Sequence, residues 1–420
     1  MMEINEKEYL KSIMTLFSGS MIAQMVTMIC SPILTRICTP DELGLYALVN
    51  GAIGIFGTVM SFRYEMCIVF DDNNENVLAL IKLSLIICSF MSFIIAIGYY
   101  FYFKSRTFEN HSLVLGLICG FLVFLLGIIN IVTSYNNRNK DYILITRTYV
   151  WRIVCQNAGN ILSAFLGLGA IGLSFSQLVG YCVGVKSQVR PLRQYKKQFK
   201  NVNRFDIMRV AKLHRKQPLM SCPAAFTNGL SYTLLNYFIE AMFSTVLVGY
   251  YSISFRILGL PLTMISNNVS KVFMEKASRT YSENGEFKEL YKTTVFVLFV
   301  IAIPIVVILV CFSPILCEFA FGKGWHIAGE YIKILAPMFA LRFIAGGVNC
   351  AGIITNKQQF DLIIQITLTI CSILIFFIAK TYTLPIDRFL QMISITFSII
   401  YAVYIYLFWI CAKGKLVEMN

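Results

Sequence analysis

Several stretches of this chain run for 18 positions or more without a charged residue, among them the strongly apolar Thr293–Phe312, Leu362–Ala379 and Phe389–Ala412. About 18 apolar residues wound as a helix are long enough to cross the roughly 30 Å hydrocarbon core of a bilayer. The rest of the composition agrees. Of the 420 residues 57% are hydrophobic and 14% charged, where a soluble domain carries about 25% charged residues. The sequence predicts an all-α, multi-pass integral membrane protein.

Between two apolar halves lies a segment that cannot enter lipid. Eleven cations occupy 186–216 (Lys186, Arg190, Arg193, Lys196, Lys197, Lys200, Arg204, Arg209, Lys212, Arg215 and Lys216) against one acid, Asp206. Cytoplasmic loops carry the Lys/Arg excess of membrane proteins. The expected organisation is therefore an N-terminal lobe at 1–185, a basic cytoplasmic linker at 186–217 and a C-terminal lobe at 218–420. Helical spacing within Phe205–Leu213 predicts a short amphipathic helix inside the linker.

Hydropathy and turn signals such as Thr39-Pro40-Asp41 and Asn136-Asn137-Arg138-Asn139 divide the lobes into twelve helices. They fall at about 13–34, 42–62, 77–103, 112–134, 142–166 and 169–185, then 218–240, 246–270, 293–312, 327–353, 361–379 and 389–411. With the N-terminus inside, inward segments hold 24 of the 36 Lys/Arg and outward loops 6. This bias predicts both termini in the cytoplasm. Six helices per half imply an internal duplication about an axis along the membrane normal. Leu43-Gly44-Leu45-Tyr46 and Val248-Gly249-Tyr250-Tyr251 are a faint trace of it.

The net charge of +14 is a loop property, so nucleic acid is not an expected partner. None of the thirteen cysteines forms a CxxC pair, and cysteines inside apolar runs behave as small hydrophobes. His111, His214 and His326 lie in separate loops without metal-ligand spacing. No cleavable signal follows the N-terminus, and no GxxxxGK[ST] loop occurs. No cofactor, metal or catalytic residue is assigned.

The informative residues are six cations inside helices: Lys82, Arg147, Arg152, Arg256, Lys333 and Arg342. Lys82 and Lys333 lie close enough to a helix end to snorkel. Arg152, Arg256 and Arg342 lie near mid-depth, where an arginine costs about 2.5–3.5 kcal/mol and marks a cavity or an ion pair. Tyr149, Arg152, Gln156, Asn160 and Ser163 share one helical face, as do Ser252, Arg256, Gly259, Thr263 and Asn267. Gln24, Asn50, Asn228, Tyr232, Asn236 and Asn349 add amides and a hydroxyl on other helices. Carboxylates are scarce there; Glu65, Glu240 and Asp361 lie near helix ends. A cavity lined by arginine and amides suits an anion, phosphate above all.

Leu34-Thr35-Arg36-Ile37-Cys38-Thr39-Pro40-Asp41-Glu42-Leu43-Gly44-Leu45-Tyr46 and Phe62-Arg63-Tyr64-Glu65 resemble the first outward loop and the RYE segment of bacterial lipid-linked oligosaccharide flippases. These are the O-antigen (Wzx-type) and related polysaccharide exporters of the MOP superfamily. Gly249-Tyr250-Tyr251-Ser252, Gly324-Trp325 and Leu335-Ala336-Pro337 resemble features of their second half. The resemblance implies two six-helix lobes forming a V in the bacterial inner membrane. It also implies an oligosaccharide on undecaprenyl diphosphate as substrate, with polysaccharide polymerase and chain-length proteins as partners. Arg36, Arg63 and Glu65 are carried over as motif positions, and Glu65 and Glu240 are the candidates for coupling or gating. The rival readings are a polytopic polymerase or ligase, which would need a large outward loop, and a drug/cation antiporter, which would need mid-depth acids.

Overall fold

The computed structural model describes residues 6–71, 73–106, 111–355, 357 and 359–414, with side chains from Ser18 onward except that of Lys196. In chain order the helices are α1 (Glu6–Ile37), α2 (Pro40–Phe56), α3 (Cys67–Phe70), α4 (Asn74–Lys104), α5 (Ser112–Arg138), α6 (Tyr142–Phe165), α7 (Gly169–Gln188), α8 (Lys196–Asn201) and α9 (Arg204–Leu213). They continue as α10 (Cys222–Met242), α11 (Thr245–Asn284), α12 (Lys288–Phe321), α13 (His326–Val348), α14 (Ala351–Ile354), α15 (Gln359–Thr381) and α16 (Ile386–Ala412). The twelve longer ones coincide with the twelve expected from sequence, and α9 with the short helix expected in the linker. Contacts divide the chain into two units, 1–233 and 234–420, the boundary falling within α10.

Among the described residues, eight helices are long and apolar enough to cross a membrane. Of the other four long ones, α2 has only 17 residues, and α6, α7 and α10 are interrupted by glycine, hydroxyl and amide residues. These are the residues that let helices approach closely and bond across in a membrane. Thr39 opens α2 with a capping box: its hydroxyl accepts from the Glu42 amide while Glu42 accepts from the Thr39 amide.

In the first unit α4 packs on α5, α6 on α7, and α1 on α6. The α4–α5 contact is close because Gly116 lies against the α4 backbone; a Cβ there would stand 2.9 Å from Ala96 O and from Tyr100 N. In the second unit α13 packs on α11, α12 and α16 and is correspondingly buried along most of its length.

Several ends differ from expectation for physical reasons. Helix α11 runs on to Asn284, about 60 Å at 1.5 Å per residue, and α12 begins at Lys288. Hydropathy marks where lipid ends, but Lys271–Asn284 remains helical beyond that point, with an Arg279–Glu283 pair at 3.0 Å. Helix α2 stops at Phe56, short of the expected 62. The chain then turns through Phe62 and Arg63, both at positive φ (51° and 65°), a region that residues with a Cβ rarely enter.

Candidate functional site

Helix α6 has two faces. Ile143, Arg147, Trp151, Leu162 and Phe165 are exposed on one, while Tyr149, Arg152, Gln156, Asn160 and Ser163 turn inward on the other. At about 100° per residue, the five positions from Arg147 to Arg152 rotate the chain to a different side. Arg147 therefore does not share the surroundings of Arg152. The inward stripe itself has two parts. Near its C-terminal end Ser163 bonds Gly172 O and Ser176 of α7, which fastens the two helices.

Around Arg152 the stripe opens into a cavity of about 230 Å³ between α5, α6 and α7, with Asn130, Thr133, Thr146, Tyr149 and Gln188 in its wall. The guanidinium lies over two tyrosine rings, 5.0 Å from Tyr149 and 5.1 Å from Tyr181, an arrangement worth about 0.5–2 kcal/mol per ring. Tyr181 is held in place by Gln177 Nε2 at 3.3 Å, which also donates to Asn50 Oδ1 at 3.0 Å. Gln156 donates to Tyr46 Oη at 3.2 Å. Gln188 accepts from Thr133 and donates to Thr148. No acid lines the cavity, and Arg152 has neither an ion pair nor a partner for its buried Nε among the described residues. The electrostatic result is a cation in a recess that no carboxylate lines among the described residues.

The second unit has its own arginines. Arg342 of α13 lies over the rings of Phe255 and Phe339, at 5.5 and 5.4 Å, and the two rings themselves meet edge to face at 5.2 Å. Arg256 is half-buried on α11, next in sequence to Phe255. Of the remaining candidates, Asn160 is buried, Gln24 and Glu240 are half-buried, and Arg36 and Asn228 are exposed. Two in-helix lysines are bonded rather than simply snorkelling. Lys333 pairs with Glu330 at 3.0 Å, and Lys82 donates to Val202 O at 2.8 Å.

That Lys82 bond is one of several that fasten the basic linker to α4 and the turns beside it. Tyr64 donates to Ala211 O at 3.2 Å, Arg209 to Asn76 Oδ1 at 3.0 Å, and His214 Nε2 lies 3.2 Å from Asp71. Tyr64 belongs to the Arg63-Tyr64-Glu65 turn, so the linker rests directly on it. Losing both Lys82 and His214, by Lys82→Ala with His214→Ala, is expected to speed tryptic cleavage within 190–216 several-fold while α5 stays protected. Unchanged cleavage would show that these bonds do not hold the linker.

Glu65 lies in the same turn, outside the spanning helices, and is 3% exposed. The Ser61 hydroxyl donates to it, and Arg63 acts on it as a nearby charge. Burial pushes its carboxyl above the usual 4.5, against the opposing pulls of Ser61, the backbone and Arg63. A carboxyl with a raised pKa holds its proton more tightly in the folded protein. Stability therefore falls as pH rises from the ordinary carboxylate range through the folded value. Glu65→Gln is expected to flatten this dependence, so that melting temperatures of native and variant protein diverge as pH rises above the ordinary carboxylate range. Parallel curves would contradict it.

Sequence reasoning singled out Arg152, Gln156, Asn50 and Asn160 but not Gln177, Tyr181 or Gln188. The signal was present: Gln177, Tyr181, Gly184 and Gln188 follow helical spacing along α7.

A family described as "Polysaccharide biosynthesis protein" matches residues 33–330, well over half of the chain. The chain belongs to that family. Its fold is that of the MOP superfamily transporters. The lipid II flippase MurJ, in an inward closed conformation, is similar at a TM-score of 0.73 and 14% identity, over 93% of this chain and 87% of that one. An inward-facing multidrug resistance MATE transporter is similar at 0.64 and 14% identity, over 96% of each chain. A Pyrococcus furiosus MOP transporter, described by the reverse polarity of its binding pocket, is similar at 0.55 and 15% identity, over 97% and 95%. At such identities the structures speak to fold alone. Among curated proteins no sequence match is found. This polysaccharide biosynthesis protein is thus a multi-pass membrane protein whose recess at Arg152 carries positive charge.

Proposed function

We propose that the protein flips an oligosaccharide carried on undecaprenyl diphosphate, an O-antigen or capsule repeat unit, from the cytoplasmic to the outer leaflet of the bacterial inner membrane. Both termini are then cytoplasmic, and the lobes 1–185 and 218–420 open alternately about the linker 186–217. The observation that carries this reading is Arg152: a half-buried cation in a polar cavity without any carboxylate. A cationic drug has nothing to bind there, whereas a phosphate supplies the missing charge. The family description and the fold shared with a lipid II flippase support the same substrate class.

The cavity volume sets what Arg152 holds. About 230 Å³ is far above the roughly 10–15 Å³ that admits a single water, so the recess has room for a phosphate group beside the guanidinium. Arg152 is assigned to the anionic group. Arg256, Arg342, Gln24, Asn228 and Asn160 remain candidates for other parts of the substrate, while Arg36, Arg63, Glu65 and Glu240 remain candidates for gating or coupling. Outward movement of negative charge follows an inside-negative potential, worth about 2.3 kcal/mol per charge per 100 mV. Polymerase and chain-length proteins would receive the product.

The test is a titration of the purified protein with a short-chain prenyl diphosphate saccharide and with the same saccharide on a neutral prenyl alcohol. Tight binding that requires the diphosphate is expected. Equal affinity for the two ligands would overturn the assignment.

A further inference from the structure

The opening turns of α13 and α16 enclose a groove of about 640 Å³ within the second unit. Glu330, Lys333, Asp387 and Gln391 line one part of it, and Ile395 and Ile399 another. Both helices begin at this end, so the charged residues lie near their starts, while Ile334, Pro337, Ile395 and Ile399, with Ser394 and Ser398 among them, lie further along. The twelve steps from Asp387 to Ile399 span about 18 Å of helix, close to half of a roughly 30 Å hydrocarbon core. Ile395 and Ile399 are 61% and 59% exposed, leaving the trough open along its side. A polar mouth above an apolar trough of one leaflet's depth has the dimensions of a single phospholipid.

The charges at the mouth select among headgroups. Lys333 pairs with Glu330 at 3.0 Å. Arg388, beside the mouth, reaches Gln391 at 3.4 Å. Asp387 lines the same mouth and has no hydrogen-bond or ion-pair partner among the described residues. Two carboxylates beside two cations disfavour a purely anionic headgroup such as a diphosphate and fit one that carries both signs. A primary ammonium offers three N–H donors to carboxylates, whereas a trimethylated one offers none.

From this arrangement we infer that the α13–α16 groove binds one ethanolamine phospholipid. Its ammonium lies on Asp387, its phosphate on Lys333, and one acyl chain along Ile395 and Ile399. The lipid would brace α13 against α16 at the end where both helices start.

Native mass spectrometry of the delipidated full-length protein tests this, with phosphatidylethanolamine, phosphatidylcholine and phosphatidylglycerol of identical chains. Ethanolamine lipid is expected to bind about tenfold more tightly than the other two, the difference a charge-assisted bond makes. Asp387→Asn should abolish that preference without weakening phosphatidylglycerol binding. Lys333→Gln should weaken all three, and so should Ser398→Trp, which fills the trough. Equal binding of the three lipids, or a preference that survives Asp387→Asn, would overturn the assignment. Tighter binding of an undecaprenyl diphosphate that Ser398→Trp removes would give the groove to a substrate tail and overturn it as well.

Discussion

Gly329→Ala is expected to cost the protein most of its folded yield. A methyl group at Gly329 would overlap Pro314 Cα and lie 2.6 Å from Pro314 N and 2.7 Å from Ser313 C. These are backbone atoms of α12, so no rotamer change relieves the overlap and the helices must separate. The same contact carries a bond from the Ser313 hydroxyl to Gly329 O at 2.8 Å, which separation would break. Overpacking costs about 1–3 kcal/mol, and the rigid neighbour places this case at the upper end. Because α13 also packs on α11 and α16, the disturbance spreads through the second unit. Gly98→Ala is the control: nothing lies within 4 Å of a Cβ there, and no loss is expected. Size-exclusion profiles and thermal melts of the two variants in detergent check this. A Gly329→Ala protein that melts with the native one would show that the α12–α13 approach is looser than described.

Arg152→Ala is expected to weaken binding of a prenyl diphosphate saccharide by roughly 10- to 100-fold, since hydrogen bonds to charged groups contribute about 1.5–3 kcal/mol. Arg152→Lys should recover only part of the affinity. A lysine keeps the charge but loses the planar guanidinium that stacks on Tyr149 and Tyr181 and pairs with two phosphate oxygens. Tyr181→Phe should weaken binding mildly, because its hydroxyl meets Gln177 while its ring supports Arg152. Affinity for the neutral prenyl alcohol saccharide should not change in any of the three. A loss common to both ligands would make Arg152 a structural residue of the α6–α7 contact.

The helices were legible because charge-free apolar runs and short turn signals are local features. What lay beyond lipid was less so. Lys271–Asn284 reads as a charged loop, yet lysine and glutamate are good helix formers, and the structure keeps them in α11. The turn after α2 carried no signal, since Phe62 and Arg63 adopt a conformation usually reserved for glycine.

At the candidate site, the Arg152 stripe followed from 3.6-residue periodicity. Tyr149 came with it, but the second aromatic support did not, because Tyr181 belongs to α7; likewise the contact of Arg342 with Phe255 joins α13 to α11. Lys82 is the clearest case. Its partner Val202 is 120 positions away in the linker, a distance across which no local pattern carries information. Arg147 is the opposite case: its separation from Arg152 by five positions already placed it on another face of α6.

The most direct test is transport itself. Purified protein is reconstituted in liposomes with an undecaprenyl diphosphate oligosaccharide labelled in one leaflet, and accessibility to an external quencher is followed with time. The account predicts flipping by the native chain that collapses in Arg152→Ala and in Arg256→Ala, with both variants still folded. Flipping at the same rate by all three proteins, or by protein-free liposomes, would contradict it.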